Sequence, residues 1–216
     1  MNKIELTCGN LGKKYTDKLI FRNLSLKLEN KSSLVITGKN GSGKSTLIKI
    51  LANVIKESKG TYRIKVEGKE ILRENFFRIT GLLSPYLNLY DELTGYENLE
   101  FFCSLKSKGN IPKTALDEKI NYILNEVNLY PRRNDLMKNY SSGMRQRLKF
   151  AFAVINEPLL LLLDEPRTNL DNEGIDVVYK FADRQKENGI LVIATNESED
   201  TSLCDNKINI EDYKEK

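Results

Sequence analysis

Three short apolar runs interrupt a chain in which polar and apolar residues are otherwise mixed. They are Ser33–Thr37, Leu159–Leu163 and Ile190–Ala194, and Gly38 and Gly189 border two of them. An unbroken run of four to eight apolar residues between turn signals is typical of a strand that is buried on both faces. The pattern therefore predicts three central strands of a covered sheet.

Weaker strand signals lie elsewhere in the chain. The stretch 18–28 alternates polar and apolar residues, as a half-buried strand with a turn does. Residues 4–6 and 207–210 are short strand candidates, and two more lie within 61–79, separated by Glu67-Gly68. With the apolar runs, these segments make strands a major part of the predicted fold.

Helical periodicity dominates from about 91 to 152. Thr94 can cap a helix there, with Glu97 at the capping-box position, and Pro112 precedes a second amphipathic helix. Further helices are predicted over 46–52, 142–154 and 176–185. A strand, a helical insertion, a strand, a helix and a strand in this order indicate an α/β fold with a mostly parallel sheet.

Composition narrows the functional classes. The 216 residues fit one large domain, or one domain with an inserted lobe. No apolar run approaches the roughly 20 residues of a membrane-spanning helix, and the N-terminus lacks a signal-peptide pattern, so we expect a cytoplasmic protein. The net charge of +4 comes from interspersed acidic and basic residues, which disfavours a nucleic-acid-binding stripe. Three isolated cysteines predict free thiols, and the chain has no histidine to act as ligand or base.

A glycine-rich loop follows the first apolar run. It reads Gly38-Lys39-Asn40-Gly41-Ser42-Gly43-Lys44-Ser45, with Thr46 after it, and fits G-x-x-x-x-G-K-[ST]. Its glycines let backbone N–H groups turn inward around phosphate oxygens at the start of a helix. Lys44 is then expected to neutralise the β- and γ-phosphates, and Ser45 to ligate Mg²⁺. The strand before the loop and the helix after it favour this phosphate cradle over a chance Gly/Ser turn.

Two acidic residues follow the second apolar run. A buried strand delivers Asp164 to its C-terminal end, where the carboxylate can hold the magnesium shell. Glu165 comes next, is expected to point the opposite way along the pleat, and can polarise an attacking water. The alternative is a core strand that happens to end in two acids, which the phosphate cradle argues against.

A serine-glycine turn precedes the helix predicted over 142–154. Ser141, Ser142 and Gly143 offer either an ordinary helix cap or a second phosphate cradle, built from a hydroxyl and glycine amides at a helix start.

The loop, the helical insertion, the serine-glycine turn and the acidic strand together resemble the ATP-binding-cassette (ABC) ATPases over almost the whole chain. Residues 140–144 stand where that family has its Leu-Ser-Gly-Gly-Gln signature, and 165–171 match the run from the catalytic glutamate to the D-loop, which includes Asp171. Tyr15 stands where the family stacks an aromatic ring on adenine, although a surface tyrosine in a turn has the same appearance.

The resemblance implies a fold and a set of partners. The expected fold is one α/β P-loop NTPase domain over 1–216, with a mostly parallel core sheet, N-terminal antiparallel strands and a helical subdomain inserted at about 86–152. The expected cofactor is Mg²⁺ with ATP. The expected partners are a second copy or a paired ABC subunit, bound head to tail so that Ser141 and Gly143 cover the ATP at Lys44 of the other copy, and a separate membrane-spanning permease. The permease would hold the chain at the inner face of the cell membrane, and no nucleic-acid partner is expected.

Three places in the chain depart from the family pattern. In the signature, Ser142 and Met144 stand where glycine and glutamine are usual. Asn196 stands where the family places a histidine against the γ-phosphate; asparagine can donate a hydrogen bond there but carries no positive charge. Closing a loop is its alternative role. Ser84 or Pro85 occupies the place of a glutamine whose amide neither side chain reproduces. Because Glu165 is retained, hydrolysis is expected, and it is expected to be slow without the membrane partner.

The subtype rests on weaker signals. The short length and the run 84–94 are similar to subunits of small export systems, nearest the haem-exporter type of cytochrome c maturation, with drug- and polysaccharide-type exporters as alternatives. The aromatic stretch 85–93 is either a docking surface for the permease or ordinary packing of the helical lobe.

A second functional class is a soluble ABC ATPase of nucleic-acid repair or translation, which would normally carry a coiled coil, a second cassette or a basic patch. A P-loop kinase or GTPase would lack the turn at Ser141–Gly143.

Overall fold

The computed structural model describes residues 3–107 and 111–214. Its strands are β1 (Ile4–Tyr15), β2 (Lys18–Glu29), β3 (Ser33–Thr37), β4 (Lys59–Val66), β5 (Lys69–Glu70), β6 (Thr80–Leu83), β7 (Leu160–Asp164), β8 (Ile190–Ala194) and β9 (Asn206–Asn209). Its helices are α1 (Lys44–Leu51), α2 (Phe76–Ile79), α3 (Gly95–Ser107), α4 (Lys113–Glu126), α5 (Ser142–Val154) and α6 (Asn172–Asn188). No helix within these ranges has the length and apolarity needed to cross a membrane.

The central sheet is parallel and has the strand order β6-β7-β8-β3-β9. Asp164 on β7 and Ile36 on β3 both pair with Ala194 on β8. The carboxyl ends of these three strands therefore meet at one edge. In open parallel sheets ligands bind at that edge, and the loops that leave it here begin at Gly38, Glu165 and Thr195.

The strands of the central sheet divide their side chains between two apolar cores. Leu160, Leu162 and Val192 join a core with α1 and the antiparallel strands, whereas Leu161 and Leu163 join a core with the helical lobe. Because successive side chains of a strand point to opposite faces, a strand covered on both sides needs an unbroken apolar run. This requirement explains why β3 and β8 coincide with the predicted runs, while β7 begins and ends one residue later than its run.

A second sheet is antiparallel and has the strand order β2-β1-β4-β5. The predicted strand over 18–28 is confirmed as β2. The prediction of only residues 4–6 for the first strand is wrong, because β1 continues to Tyr15. Register shifts after Cys8 and at Leu11, together with the positive φ of Asn10, break the alternation that the sequence pattern relies on.

The helices α3, α4 and α5 lie between β6 and β7 in the chain. The predicted capping box is confirmed: Glu97 N donates to Thr94 Oγ1 at 3.1 Å, and Thr94 N donates to Glu97 Oε2 at 2.8 Å. The strand β6 was not predicted. It packs so closely on α5 that a Cβ added at Gly81 would lie 2.1 Å from the Ala153 carbonyl oxygen.

Candidate functional site

The loop between β3 and α1 has a backbone that only glycine adopts readily. Gly38, Gly41 and Gly43 have φ angles of 142°, 74° and 116°. A Cβ added at Gly43 would also lie 2.6 Å from the Ile20 side chain. The loop leads into α1, whose first N–H groups and positive dipole end attract an anion. The glycines thus give the loop the backbone conformation that the predicted phosphate cradle requires.

Groups from three separate segments surround the Lys44 ammonium. Its Nζ donates to the Gly38 carbonyl oxygen at 2.9 Å and to Asn196 Oδ1 at 2.7 Å, and lies 3.4 Å from Glu165 Oε1. The lysine is 5% exposed, and a charge buried to that degree needs partners. The cluster holds the ammonium at the mouth of the cradle.

A hydroxyl and a carboxylate lie side by side behind Lys44. Ser45 Oγ donates to Asp164 Oδ1 at 3.0 Å, and Asp164 is fully buried. Its second oxygen, Oδ2, has no hydrogen-bond partner among the described residues. Burial raises the pKa of the Asp164 carboxyl, while the Ser45 hydrogen bond and the charges of two lysines act in the opposite direction. A hydroxyl beside a carboxylate with an uncommitted oxygen is the donor set that a hard divalent cation takes.

Glu165 does not follow the pleat. The strand β7 ends at Asp164, and Glu165 has a φ of 50°, with its N–H donating to the Ala194 carbonyl oxygen at 2.8 Å. The prediction that the two acids point in opposite directions is therefore wrong, since it assumed extended backbone at Glu165. Asp164 contacts Ser45 and Glu165 contacts Lys44, so both carboxylates serve the same site.

Asn196 lies directly on the cradle. Besides accepting from Lys44, it donates through Nδ2 to Asn40 Oδ1. Its amide thus bridges the lysine and the exposed tip of the loop. This geometry places Asn196 in contact with the site and at the same time makes it the residue that closes its own loop onto the cradle.

The other predicted site residues lie outside the Lys44 cluster. Ser141 caps α5, with its Oγ accepting from Met144 N at 3.2 Å, and both Ser141 and Ser142 are exposed. Asp171 caps α6 and accepts from Gly174 N at 2.9 Å. Tyr15 ends β1 and is 45% exposed. Among the hydrogen bonds of the described residues, none joins the turn at Ser141–Gly143 to the cradle.

Two contacts near the site were not predicted. Gln146 is buried on α5, and its Nε2 donates to the Pro166 carbonyl oxygen at 3.4 Å, which links α5 to the segment after Glu165. The sequence signal for this contact was the amide side chain of Gln146, one helical turn before Phe150, which is buried. Lys49 Nζ lies 3.7 Å above the Tyr86 ring, one turn along α1 from Ser45.

The strand, the glycine loop, the helix and the serine–aspartate pair at the carboxyl edge of a parallel sheet define a P-loop nucleotide-binding domain. The chain belongs to the ABC transporter family, since the model of that family matches residues 21–168. The resemblance to the ABC ATPases is thereby confirmed.

The relatives carry transporter names of several kinds. The uncharacterized ABC transporter ATP-binding protein YdbJ of Bacillus subtilis is 34% identical over 208 residues, which cover 93% of this chain and 64% of that protein. The cytochrome c biogenesis ATP-binding export protein CcmA of Photobacterium profundum is 30% identical over 188 residues, covering 84% of this chain and 87% of that protein. The daunorubicin resistance ATP-binding protein DrrA3 of Streptomyces coeruleorubidus is 33% identical over 193 residues, covering 88% of this chain. The chain spans about three-fifths of the length of YdbJ and of DrrA3.

Solved structures show the same fold. A dimeric post-hydrolysis state of the ATP-binding cassette MJ0796, bound to ADP and Pi, superposes with a TM-score of 0.83 at 22% identity and covers 94% of this chain and 93% of that chain. An ATP-binding subunit of an ABC transporter superposes with a TM-score of 0.81 at 24% identity, covering 94% of this chain and 85% of that chain.

Proposed function

We propose that this chain is the ATP-binding and ATP-hydrolysing subunit of an ABC transporter, with export as the direction that the name of the relative CcmA favours. The observation that carries the proposal is the convergence on Lys44 of Glu165, Asn196 and the cradle. A binding module needs the cradle alone, whereas the carboxylate beside it supplies a group for proton transfer.

The residues divide the work as follows. Lys44 exchanges its contacts with Asn196 and Glu165 for the β- and γ-phosphates of ATP, and the backbone N–H groups from Gly38 to Thr46 bind the remaining phosphate oxygens. Glu165 accepts the proton of the attacking water. The Asn196 amide donates to the γ-phosphate, without the positive charge that a protonated histidine would bring.

The residues present fit Mg²⁺. Ser45 and Asp164 would hold the ion through the hydroxyl and the uncommitted Oδ2. When bound, Mg²⁺ neutralises charge on the phosphates. Because the Asp164 side chain is fully buried, a cation partner would also compensate its loss of hydration.

Purified chain incubated with ATP should release phosphate in the presence of Mg²⁺. With EDTA in place of Mg²⁺ the rate should fall about 100-fold or more, since phosphoryl transfer to water relies on metal neutralisation of the phosphates. The measurement is continuous phosphate detection, with and without added single- and double-stranded nucleic acid. Absence of both ATP binding and release would contradict the proposal, and stimulation by nucleic acid would favour a repair or translation ATPase instead.

The site is proposed to be completed by a second copy or a paired ABC subunit. The turn at Ser141–Gly143 projects from the inserted helical lobe, proposed here as a subdomain over 86–152 of one domain spanning 1–216, and Ser141 and Ser142 are exposed. Head-to-tail pairing would bring this turn and Asp171 over the ATP of the partner. Tyr15, exposed at the end of β1, is the proposed stacking partner of adenine.

A membrane-spanning permease is the proposed second partner, and it would hold the chain at the inner face of the cell membrane. Its proposed docking surface is an aromatic patch formed by Tyr86, Tyr90 and Phe101, which are 68%, 49% and 41% exposed. Tyr90 packs edge-on against Phe101 with ring centroids 5.5 Å apart. Exposed aromatic residues such as this contacting pair, with Tyr86 nearby in the chain, are the kind of surface that protein partners cover.

Tagged chain should be recovered from the membrane fraction when it is expressed together with the membrane proteins that neighbouring genes encode. Substituting Tyr86→Ala together with Tyr90→Ala should lower that recovery about tenfold, because buried aromatic anchors dominate interface energies. Leu72→Ala is the matched control, as Leu72 is a large apolar residue that is 64% exposed outside the patch. Recovery from the cytosol alone, with bound nucleic acid, would contradict the permease proposal.

A further inference from the structure

The loop that carries Asn196 is rich in negative charge. Glu197, Glu199 and Asp200 follow Asn196 within four residues. Like charges at this spacing repel one another, yet the loop places the Asn196 amide within 2.7 Å of Lys44. Contacts with other parts of the chain must therefore offset this repulsion to keep the loop beside Lys44.

A hydrogen-bond network on Asp200 supplies part of this stabilisation. This residue is fully buried; its Oδ2 accepts from Thr195 Oγ1 at 2.7 Å and its Oδ1 from Tyr179 OH at 3.1 Å. Thr195 Oγ1 in turn accepts from the Glu197 N–H at 3.0 Å. Burial raises the pKa of the Asp200 carboxyl, and these hydrogen bonds and the charge of Arg167 oppose that rise. The network fixes the residues on both sides of Asn196.

The positive charge that faces this loop comes from the segment that follows Glu165. Arg167 follows Glu165 by two residues, and its Nη1 lies 3.4 Å from Glu199 Oε2. Nη1 is buried and makes no well-aligned hydrogen bond among the described residues, so its contact is chiefly a charge interaction. Glu165 and Arg167 also line, with Thr195 and Glu197, one cavity of about 240 Å³ between the two loops.

We propose that Arg167 is a positioning residue for ATP hydrolysis. Its guanidinium couples the Glu165 segment to the Asn196 loop by balancing the carboxylates of that loop. Without this cation the loop moves away and the Asn196 amide loses its place beside Lys44. The inference rests on the proposed ATPase function and assigns to Arg167 a role in the rate of the chemical step, with little part in ATP affinity.

Kinetics test the role in turnover. Arg167→Gln should lower kcat about tenfold while the Kd for ATP changes less than about twofold, and Arg167→Lys, which keeps the charge, should recover most of kcat. Glu199→Gln, at an exposed position, should cause a smaller loss, and adding it to Arg167→Gln should cause no further loss. Arg63→Gln is the matched control, because Arg63 pairs with Glu70 on the antiparallel sheet. Unchanged kcat in Arg167→Gln, or full loss in Arg167→Lys, would overturn the proposal.

Amide hydrogen exchange of the full chain without nucleotide tests the coupling independently of turnover. Arg167→Gln should speed exchange in the segment 195–203 about threefold or more, with no change in β1 or β4. If Arg167→Gln unfolds, the same comparison is made with Glu199→Gln, which should speed exchange of the same segment. Wild type without phosphate release would defeat the proposed function and leave the exchange result to decide the coupling. Unchanged exchange beside normal wild-type turnover would defeat the coupling alone.

Discussion

Glu165→Gln should nearly abolish phosphate release and leave ATP bound. Removing a positioned general base costs about 10²- to 10⁴-fold in rate, and we expect a loss of at least about 100-fold. The amide cannot accept the proton of the attacking water, yet it has almost the same size as the carboxylate. Since the negative charge 3.4 Å from the Lys44 ammonium disappears, repulsion of the γ-phosphate falls and ATP affinity should be equal or higher. Single-turnover phosphate release and equilibrium ATP binding measure the two effects.

The control for Glu165 is a glutamate of the next helix. Glu173 is exposed in the first turn of α6, and Glu173→Gln should leave both rate and affinity within about twofold of wild type. Equal phosphate release from wild type and Glu165→Gln would contradict the general-base role. Loss of ATP binding in Glu165→Gln would instead indicate that the carboxylate mainly holds Lys44 in place.

The elements that the sequence predicts best are those governed by one local rule. β3 and β8 are apolar runs because both faces of the central sheet are covered, and α5 begins at the residue after Ser141 because a serine at that position satisfies a free N–H of the first turn. β6 has no such rule. It has four residues, one of them Gly81, and it is a strand because β7 pairs with it and α5 packs on it.

The site residues likewise divide into those that a local sequence rule predicts and those that only the folded chain brings together. The cradle and Asp164 follow from spacing, since glycines, lysine and serine act within eight residues and the carboxylate ends a recognisable strand. The contact of Lys44 with Asn196 joins residues 152 positions apart, and only the order of strands in the sheet creates it. The sequence places Glu165 near the phosphate cradle but predicts the wrong direction for its side chain. The left-handed backbone of Glu165 has no counterpart in the alternation of a strand. Arg167 left no sequence signal, as one basic residue among many identifies no partner.

Lys44→Ala should weaken ATP binding by roughly 100-fold. Hydrogen bonds to charged groups contribute about 1.5 to 3 kcal/mol each, and a loss of about 2.7 kcal/mol corresponds to a factor of about 100 in Kd. Gly143→Asp should disable hydrolysis in another way, because it sets a carboxylate at the helix end that is proposed to face the phosphates of the partner copy. Each variant alone should release almost no phosphate at moderate ATP concentrations.

Mixing the two variants should restore activity if each site is shared between copies. Random pairing gives about half heterodimers, and in each of these one of the two sites combines an intact cradle with an intact turn, so about one quarter of the wild-type rate should return. Two differently tagged Lys44→Ala preparations serve as the control and should show no gain. Heterodimers that are recovered through both tags yet release no phosphate would contradict a shared site. A gain in the mixture requires Lys44 of one copy and Gly143 of the other to act on the same ATP, because neither variant contains an intact pair of its own.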